Sequence, residues 1–164
     1  MKGMLRSALI CAIVLIPALL AAQDSPGAKN ATYRPKIVFV CEHGSSKSVV
    51  AAAFCRRLAK QRGLDVEVVS RGTAPEPAVP AGVRSGLRSD GIDVGEFKPT
   101  GVSAADLRDA TKVISFGPDL SAFTKGSVED WSATPAVSDD YKAARNYIVK
   151  QLEMLLDQLS KPVR

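Results

Sequence analysis

The sequence is poor in the residues that hold metals. Among 164 residues there are three cysteines and one histidine, too few for a Cys/His zinc site, and no two cysteines have the two-residue spacing of a metal knuckle or redox pair. A structural metal is excluded at this level, and no cofactor is expected. Charge of one sign is also scarce. Twenty-two Lys and Arg against 17 Asp and Glu give +5, scattered along the chain without the basic stripe that marks a nucleic-acid footprint, so no nucleic-acid partner is expected. The one long apolar run, Ala8 to Ala22, is fifteen residues broken by Pro17, short of the roughly 20 needed to span hydrocarbon. What is present, 46% hydrophobic and 24% charged residues, is the balance of one ordinary globular domain rather than a disordered or repetitive chain.

Residues 1–22 read as an address. Lys2 and Arg6 make a basic start, the apolar run follows, and Ala21-Ala22 supplies small residues before Gln23 and Asp24, the pattern of a secretory signal peptide. The domain is therefore expected in the periplasm or outside the cell, with no stable membrane insertion after cleavage. The mature chain would keep 20 basic and 17 acidic residues, +3, and two cysteines, Cys41 and Cys55. Residues 23–35, with Asp24, Ser25, Pro26, Gly27, Asn30 and Pro35, are polar and turn-rich and read as a flexible leader, with the domain itself covering 36–164.

From there strand and helix patterns alternate. Lys36–Val40 is a β-branched apolar run, Ser48–Gly63 is amphipathic, and Asp65–Ser70 is a second strand. Pro80–Asp90 reads as a helix stopped at Gly91, Val102–Asp109 as a short helix with Ser103 as N-cap, Lys112–Phe116 as a third strand and Val128–Trp131 as a short fourth. The closing helix, about Asp140–Leu159, has Tyr141, Ala144, Ile148, Leu152, Leu155 and Leu159 on one stripe, with Asp139 or Asp140 as its cap. Strands joined by helical crossovers predict an α/β fold with a parallel sheet and helices on both faces. Ligands in such folds bind beyond the carboxyl ends of the strands, which directs attention to the loop after the first strand.

That loop reads Cys41-Glu42-His43-Gly44-Ser45-Ser46-Lys47-Ser48. Its small residues let the backbone curl so that its amides converge, and the helix that follows adds the positive end of its dipole, a combination suited to phosphate. The same field favours the thiolate of a cysteine at its base. A thiolate beneath a phosphoryl group is a nucleophile in position; Ser48 can donate to it and Lys47 can bring positive charge to the anion's oxygens. As a bare pattern the motif is weak, because strand-end cysteines are commonly inert core residues. Its place between an apolar strand and an amphipathic helix strengthens it.

This strand-loop-helix, together with Ser70-Arg71-Gly72-Thr73, Ala78–Val94, Lys98-Pro99, Lys112–Gly117 and the closing helix, resembles the low-molecular-weight protein tyrosine phosphatase and thioredoxin-coupled arsenate reductase superfamily over about Lys36–Leu159. Cys-x-His at the loop start and Gly91-Ile92-Asp93 are similar to the arsenate reductase branch. The resemblance implies a three-layer α/β/α domain with a four-stranded parallel sheet and the phosphatase-type loop after strand 1. It makes Cys41 the nucleophile, Glu42, His43, Gly44, Ser45, Ser46 and Lys47 the anion cradle, and Ser48 the hydroxyl that steadies the thiolate. The implied ligand is phosphate or another tetrahedral oxyanion, including phosphotyrosine on a protein.

The sequence departs from the family pattern at three places. Lys47 stands where the family has an arginine, and an ammonium lacks the planar fork that holds two oxygens. Thr134-Pro135 stands where the family has an Asp-Pro pair whose acid protonates the leaving oxygen; Asp130, Asp139 and Asp140 are the nearby carboxylates, for which solubilising or capping roles are the simpler reading. Gly44 stands where asparagine is usual, and glycine also accepts a left-handed backbone. Arsenate reduction by an internal cysteine relay is not expected, because Gly117-Pro118-Asp119-Leu120 carries no cysteine and Cys55 reads as a small core residue. Two assignments stay open: His43 as an anion contact or a solvent-facing residue, and Trp131 with Thr134 as pocket wall or Trp131 as core. Three functions follow as expectations: a slow phosphatase acting through a Cys41 phosphoenzyme, a phospho-ligand-binding protein without turnover, and an exported thiol redox sensor.

Overall fold

A computed structural model describes residues 34–160; the signal peptide and most of the leader read from the sequence lie outside the described residues. Eight elements follow in order: β1 (Lys36–Cys41), α1 (Lys47–Gln61), β2 (Glu67–Gly72), α2 (Ala81–Ser89), α3 (Ala104–Arg108), β3 (Lys112–Ser115), β4 (Glu129–Asp130) and α4 (Tyr141–Leu159). The four strands form one sheet in the order β2-β1-β3-β4, and every pairing is parallel.

β1 is central, and Ile37, Val38, Phe39 and Val40 are all fully buried, which is why this strand shows a continuous apolar run instead of alternation. Its odd-numbered residues Ile37, Phe39 and Cys41 share a core with α1, α2 and α4, whereas Val38 and Val40 pack with Leu107 of α3, Val113 and Leu120 on the other face. The sheet is thus covered on both sides, heavily by α1, α2 and α4 and lightly by α3 and the chain after β3. α4 lays its stripe of Ala144, Ile148, Leu152 and Leu155 into the larger core, as its three- and four-residue spacing requires.

The caps follow the sequence closely. Ser103 accepts from the Asp106 amide while the Asp106 side chain accepts from the Ser103 amide, a complete capping box. Asp140, and not Asp139, caps α4 by accepting from the Ala143 amide at 2.9 Å. The register Cys41↔Gly72 and Val40↔Ser115 brings the ends of β1, β2 and β3 together, so the loops that leave them meet on one rim. Arg34 and Pro35, the last leader residues, are tied to β2's approach, Arg34 by an ion pair to Asp65 at 2.9 Å and Pro35 by accepting from the Glu67 amide at 2.8 Å.

Candidate active site

From Cys41 the chain turns through Glu42–Ser46 into α1. The amides of Thr73, Ala74 and Glu76 donate to the carbonyls of Cys41, Glu42 and His43 at 3.2, 2.8 and 3.0 Å. These rungs carry the β1–β2 ladder past the strand ends and turn three successive carbonyls outward. The loop's own amides take no part in these rungs: among the described residues, none from Glu42 to Ser48 donates to a protein acceptor, so all are available to a bound anion. A run of amides so arranged forms an anion-binding concavity.

Helix α1 adds to it. Its N-cap, Ser46, makes no side-chain cap bond and its first turn holds no acidic residue, unlike the capped starts of α3 and α4. The positive end of a 15-residue helix is therefore left without an anionic partner at the loop. Close backbone approach holds the curl. Gly44 has φ of +62°, and a Cβ there would lie 2.8 Å from the Gly72 amide nitrogen; a Cβ on Gly72 would lie 2.6 Å from the nitrogen of Gly44. Both the left-handed backbone and the missing space require glycine at position 44, a stronger demand than the tolerance the sequence suggested.

Cys41 is 6% exposed and sits at the base of a cavity of about 230 Å³ lined also by Glu42, His43, Ser46 and Lys47 from the loop and by Phe116, Ala136, Val137 and Ser138. Its Sγ is 3.1 Å from Ser48 Oγ, and Ser48 is fully buried, so a thiolate at Cys41 can accept a hydrogen bond donated by the Ser48 hydroxyl. Cys55 differs in kind. It is wholly buried inside α1, and desolvation pushes its thiol up to about 12, against a smaller opposing pull from Arg56. It behaves as the core residue the sequence indicated.

Lys47 donates from Nζ to the Thr134 carbonyl at 2.6 Å. This bond ties the anion loop to the segment before α4, and because an ammonium carries three donors, two remain for an anion. Ser45 is fully buried and donates to Glu76 at 2.5 Å. Glu76 thus holds the loop from behind twice, through its amide and through its carboxylate. His43 is half exposed at the cavity, with its ring nitrogens 3.9 Å from carboxylates of Glu42 and Glu76.

Two wall residues considered from the sequence lie elsewhere. Trp131 is 2% exposed, packed 5.9 Å from Phe39 and 5.8 Å from Phe116 between ring centroids, with its indole N–H donating to Glu129 at 2.9 Å; it belongs to the core and not to the cavity wall. Thr134 is also buried, with its hydroxyl unpartnered among the described residues, and it serves the site through its carbonyl rather than its side chain. The wall is built by Phe116 and by Ala136, Val137 and Ser138, which follow Thr134-Pro135 in the same loop. Asp130 is exposed and holds Ser132, Asp139 is exposed and accepts from Ser138, and Asp140 is the α4 cap. None of the three lines the cavity. Glu76 was not legible as a site residue, since it lies in a Pro-flanked turn with no periodicity. The only signal for it was its distance of four residues from Gly72 on a segment that must run beside the loop.

Comparisons with known proteins agree with this fold. The family model described as low molecular weight phosphotyrosine protein phosphatase matches residues 36–119. A Halobacterium salinarum protein provisionally named an arsenate reductase is 31% identical over 102 residues, 59% of this chain and 71% of that protein. Among solved structures, YfkJ from Bacillus subtilis superposes with a TM-score of 0.70 at 20% identity, covering 79% of this chain and 96% of its own. The arginine phosphatase YwlE, also from Bacillus subtilis and solved with a phosphorylated active-site serine, gives 0.64 at 22% identity, covering 77% and 96%.

Proposed function

The chain belongs to the low molecular weight phosphotyrosine protein phosphatase family, and from that premise we propose that residues 41–48 bind a phosphate-type oxyanion and turn over phosphomonoesters slowly through a Cys41 phosphoenzyme. The observation that carries this reading is the sulfur of Cys41 in a cavity lined by loop residues whose amides have no protein acceptor among the described residues, 3.1 Å from a buried hydroxyl. In the first step the thiolate attacks phosphorus, an S–P bond forms and the bond to the leaving oxygen breaks. Water then attacks phosphorus, the S–P bond breaks, and phosphate leaves with Cys41 restored as thiolate, steadied by Ser48.

The slowness has a physical cause. Thr134 occupies the acid's position in the sequence pattern, its side chain is buried off the cavity, and no aspartate lines the cavity. Loss of general acid catalysis costs about 10²- to 10⁴-fold. Aryl phosphates are the favoured substrates, because a phenolate needs a proton least on leaving. Lys47 keeps the positive charge, held in place by the Thr134 carbonyl, but offers no planar fork. The missing acid also favours a second reading, capture of a phosphorylated ligand without turnover. An internal cysteine relay has no support, since Cys55 is sealed in the core.

p-Nitrophenyl phosphate hydrolysis separates the two readings. Turnover by wild type that disappears in Cys41→Ser is the expected result. No turnover in the wild type, with inorganic phosphate or vanadate still raising the melting temperature, would select the binding protein; no turnover and no thermal shift would reject both. Export belongs to the same proposal. No helix among the described residues is long and apolar enough to cross a membrane, and residues 1–22 carry the signal-peptide pattern. N-terminal sequencing of protein recovered from the envelope or medium should begin near Gln23; an intact Met1 would refute export by cleavage.

A further inference from the structure

The candidate active site does not end at its cavity. Glu42 and Phe116, which line the space above Cys41, also line a second depression of about 490 Å³ completed by Thr73, Gly117, Pro118, Asp119 and Phe123. The two depressions share Glu42 and Phe116 in their linings and so adjoin, the second lying at the loop after β3. Its floor is apolar, from Phe116, Pro118 and Phe123. The second depression is lined by two carboxylates, the exposed Glu42 and Asp119, and by no basic residue, and the Asp119 carboxyl is held below the ordinary range by the amide and hydroxyl of Ser121. Lys125, the cation that Asp119 feels, is turned away to the Ser121 carbonyl at 3.2 Å. The cations nearest this depression, His43 and Lys47, line the first cavity, with the His43 ring nitrogens 3.9 Å from the Glu42 and Glu76 carboxylates.

We infer that this second depression is a specificity subsite that receives a lysine or arginine side chain next to the phosphorylated residue of a polypeptide substrate. An aliphatic stem covers the aromatic floor while the charged head reaches the rim carboxylates, the division of surface that long basic side chains make elsewhere. The positive anion loop and the negative rim would then read a phosphate and a cation in adjacent positions, which neither a free phosphate nor a small aryl phosphate offers. The inference rests on the oxyanion reading of residues 41–48 and names the class of substrate for it.

Phosphotyrosyl peptides identical except for Lys, Ala or Glu beside the phosphotyrosine test it, with affinities measured by calorimetry on the Cys41→Ser protein so that none is consumed. Exposed ion pairs of this kind contribute modestly, so the Lys peptide should bind about three- to tenfold tighter than the Ala peptide, and the Glu peptide weaker than both. The Lys/Ala ratio should fall toward one in Glu42→Gln and in Asp119→Asn, and in wild-type sequence at high salt. Equal affinities for the three peptides, all displaced by inorganic phosphate, would overturn the subsite and leave the oxyanion reading standing. Peptide binding that phosphate does not displace would overturn both. A second copy of the chain filling the depression, seen as a dimer in sedimentation that Asp119→Asn dissolves, would also overturn it.

Discussion

Glu76 offers a test in which two physical effects predict opposite signs. Its carboxylate accepts from the hydroxyl of fully buried Ser45, and its amide donates to the His43 carbonyl at 3.0 Å. A carboxylate near an anion site repels the anion. At a separation on the order of 10 Å, with an effective dielectric between about 20 and 80, that repulsion is about 0.4 to 2 kcal/mol. If Glu76 acted only through its charge, Glu76→Ala and Glu76→Gln would both tighten phosphate binding, and equally. If it positions the loop, the two variants must part. Glutamine removes the charge and keeps an acceptor for Ser45; alanine removes both and leaves a buried hydroxyl unpaired, at a cost of about 1 to 3 kcal/mol. Glu76→Gln should therefore bind inorganic phosphate as well as wild type or better, and Glu76→Ala should bind about five- to 150-fold more weakly than Glu76→Gln. Calorimetric titration of the three proteins with phosphate at one ionic strength measures this directly, and melting curves should show Glu76→Ala the least stable. Equal phosphate affinity in the alanine and glutamine variants would refute the positioning role.

Other perturbations have equally definite outcomes. Gly44→Ala places a Cβ 2.8 Å from the Gly72 nitrogen in a left-handed backbone, so it should destabilise by about 2 kcal/mol or more, since the backbone term alone is about 1 to 2 kcal/mol; denaturant unfolding that shows no loss would contradict the close approach. Ser103→Ala removes the α3 cap and should cost about 0.5 to 2 kcal/mol in the same assay. For Cys55, burial raises the folded thiol from 9.0 to about 12, so the unfolded chain releases its proton first as pH rises. The stability tied to the protonated thiol is complete below pH 9 and is lost progressively toward pH 12, a change on the order of 4 kcal/mol by linkage. Tyr141, raised chiefly by burial and by donating to Asp90, acts in the same direction. Cys55→Ala should flatten the alkaline limb of a stability–pH curve, and an unchanged limb would show that Cys55 does not titrate on unfolding.

The parts of this molecule governed by periodicity were legible in the sequence. The β-branched run of β1, the stripe of α4, and the Ser103 and Asp140 caps each follow from local chemistry, and the structure places all of them within a residue or two. The loop from Cys41 to Ser48 was legible because its residue types and its position at a strand end point to the same chemistry. What holds that loop was not. The rungs from Thr73, Ala74 and Glu76 are backbone bonds to residues more than thirty positions away, which no side-chain pattern announces. Gly72 could be quoted as part of a motif, but only the fold shows that Gly44 presses against it. Trp131 illustrates the limit from the other side: an indole near a site suits a wall or a core equally, and its two aromatic neighbours come from distant parts of the chain, Phe39 from β1 and Phe116 from just after β3. Lys47 and Thr134 each looked like a lost function, and the bond between them joins the two departures into one contact.

The central claim is that the loop after β1 holds a tetrahedral oxyanion directly above the sulfur of Cys41. Alkylation of the native protein by iodoacetamide, followed by mass spectrometry at Cys41 and Cys55, tests it with an internal reference, because Cys55 is sealed in the core. Cys41 should be modified, Cys55 should not, and inorganic phosphate should slow the modification of Cys41 in a saturable way. Alkylation of Cys41 at a rate that phosphate, arsenate and vanadate leave unchanged would contradict the claim.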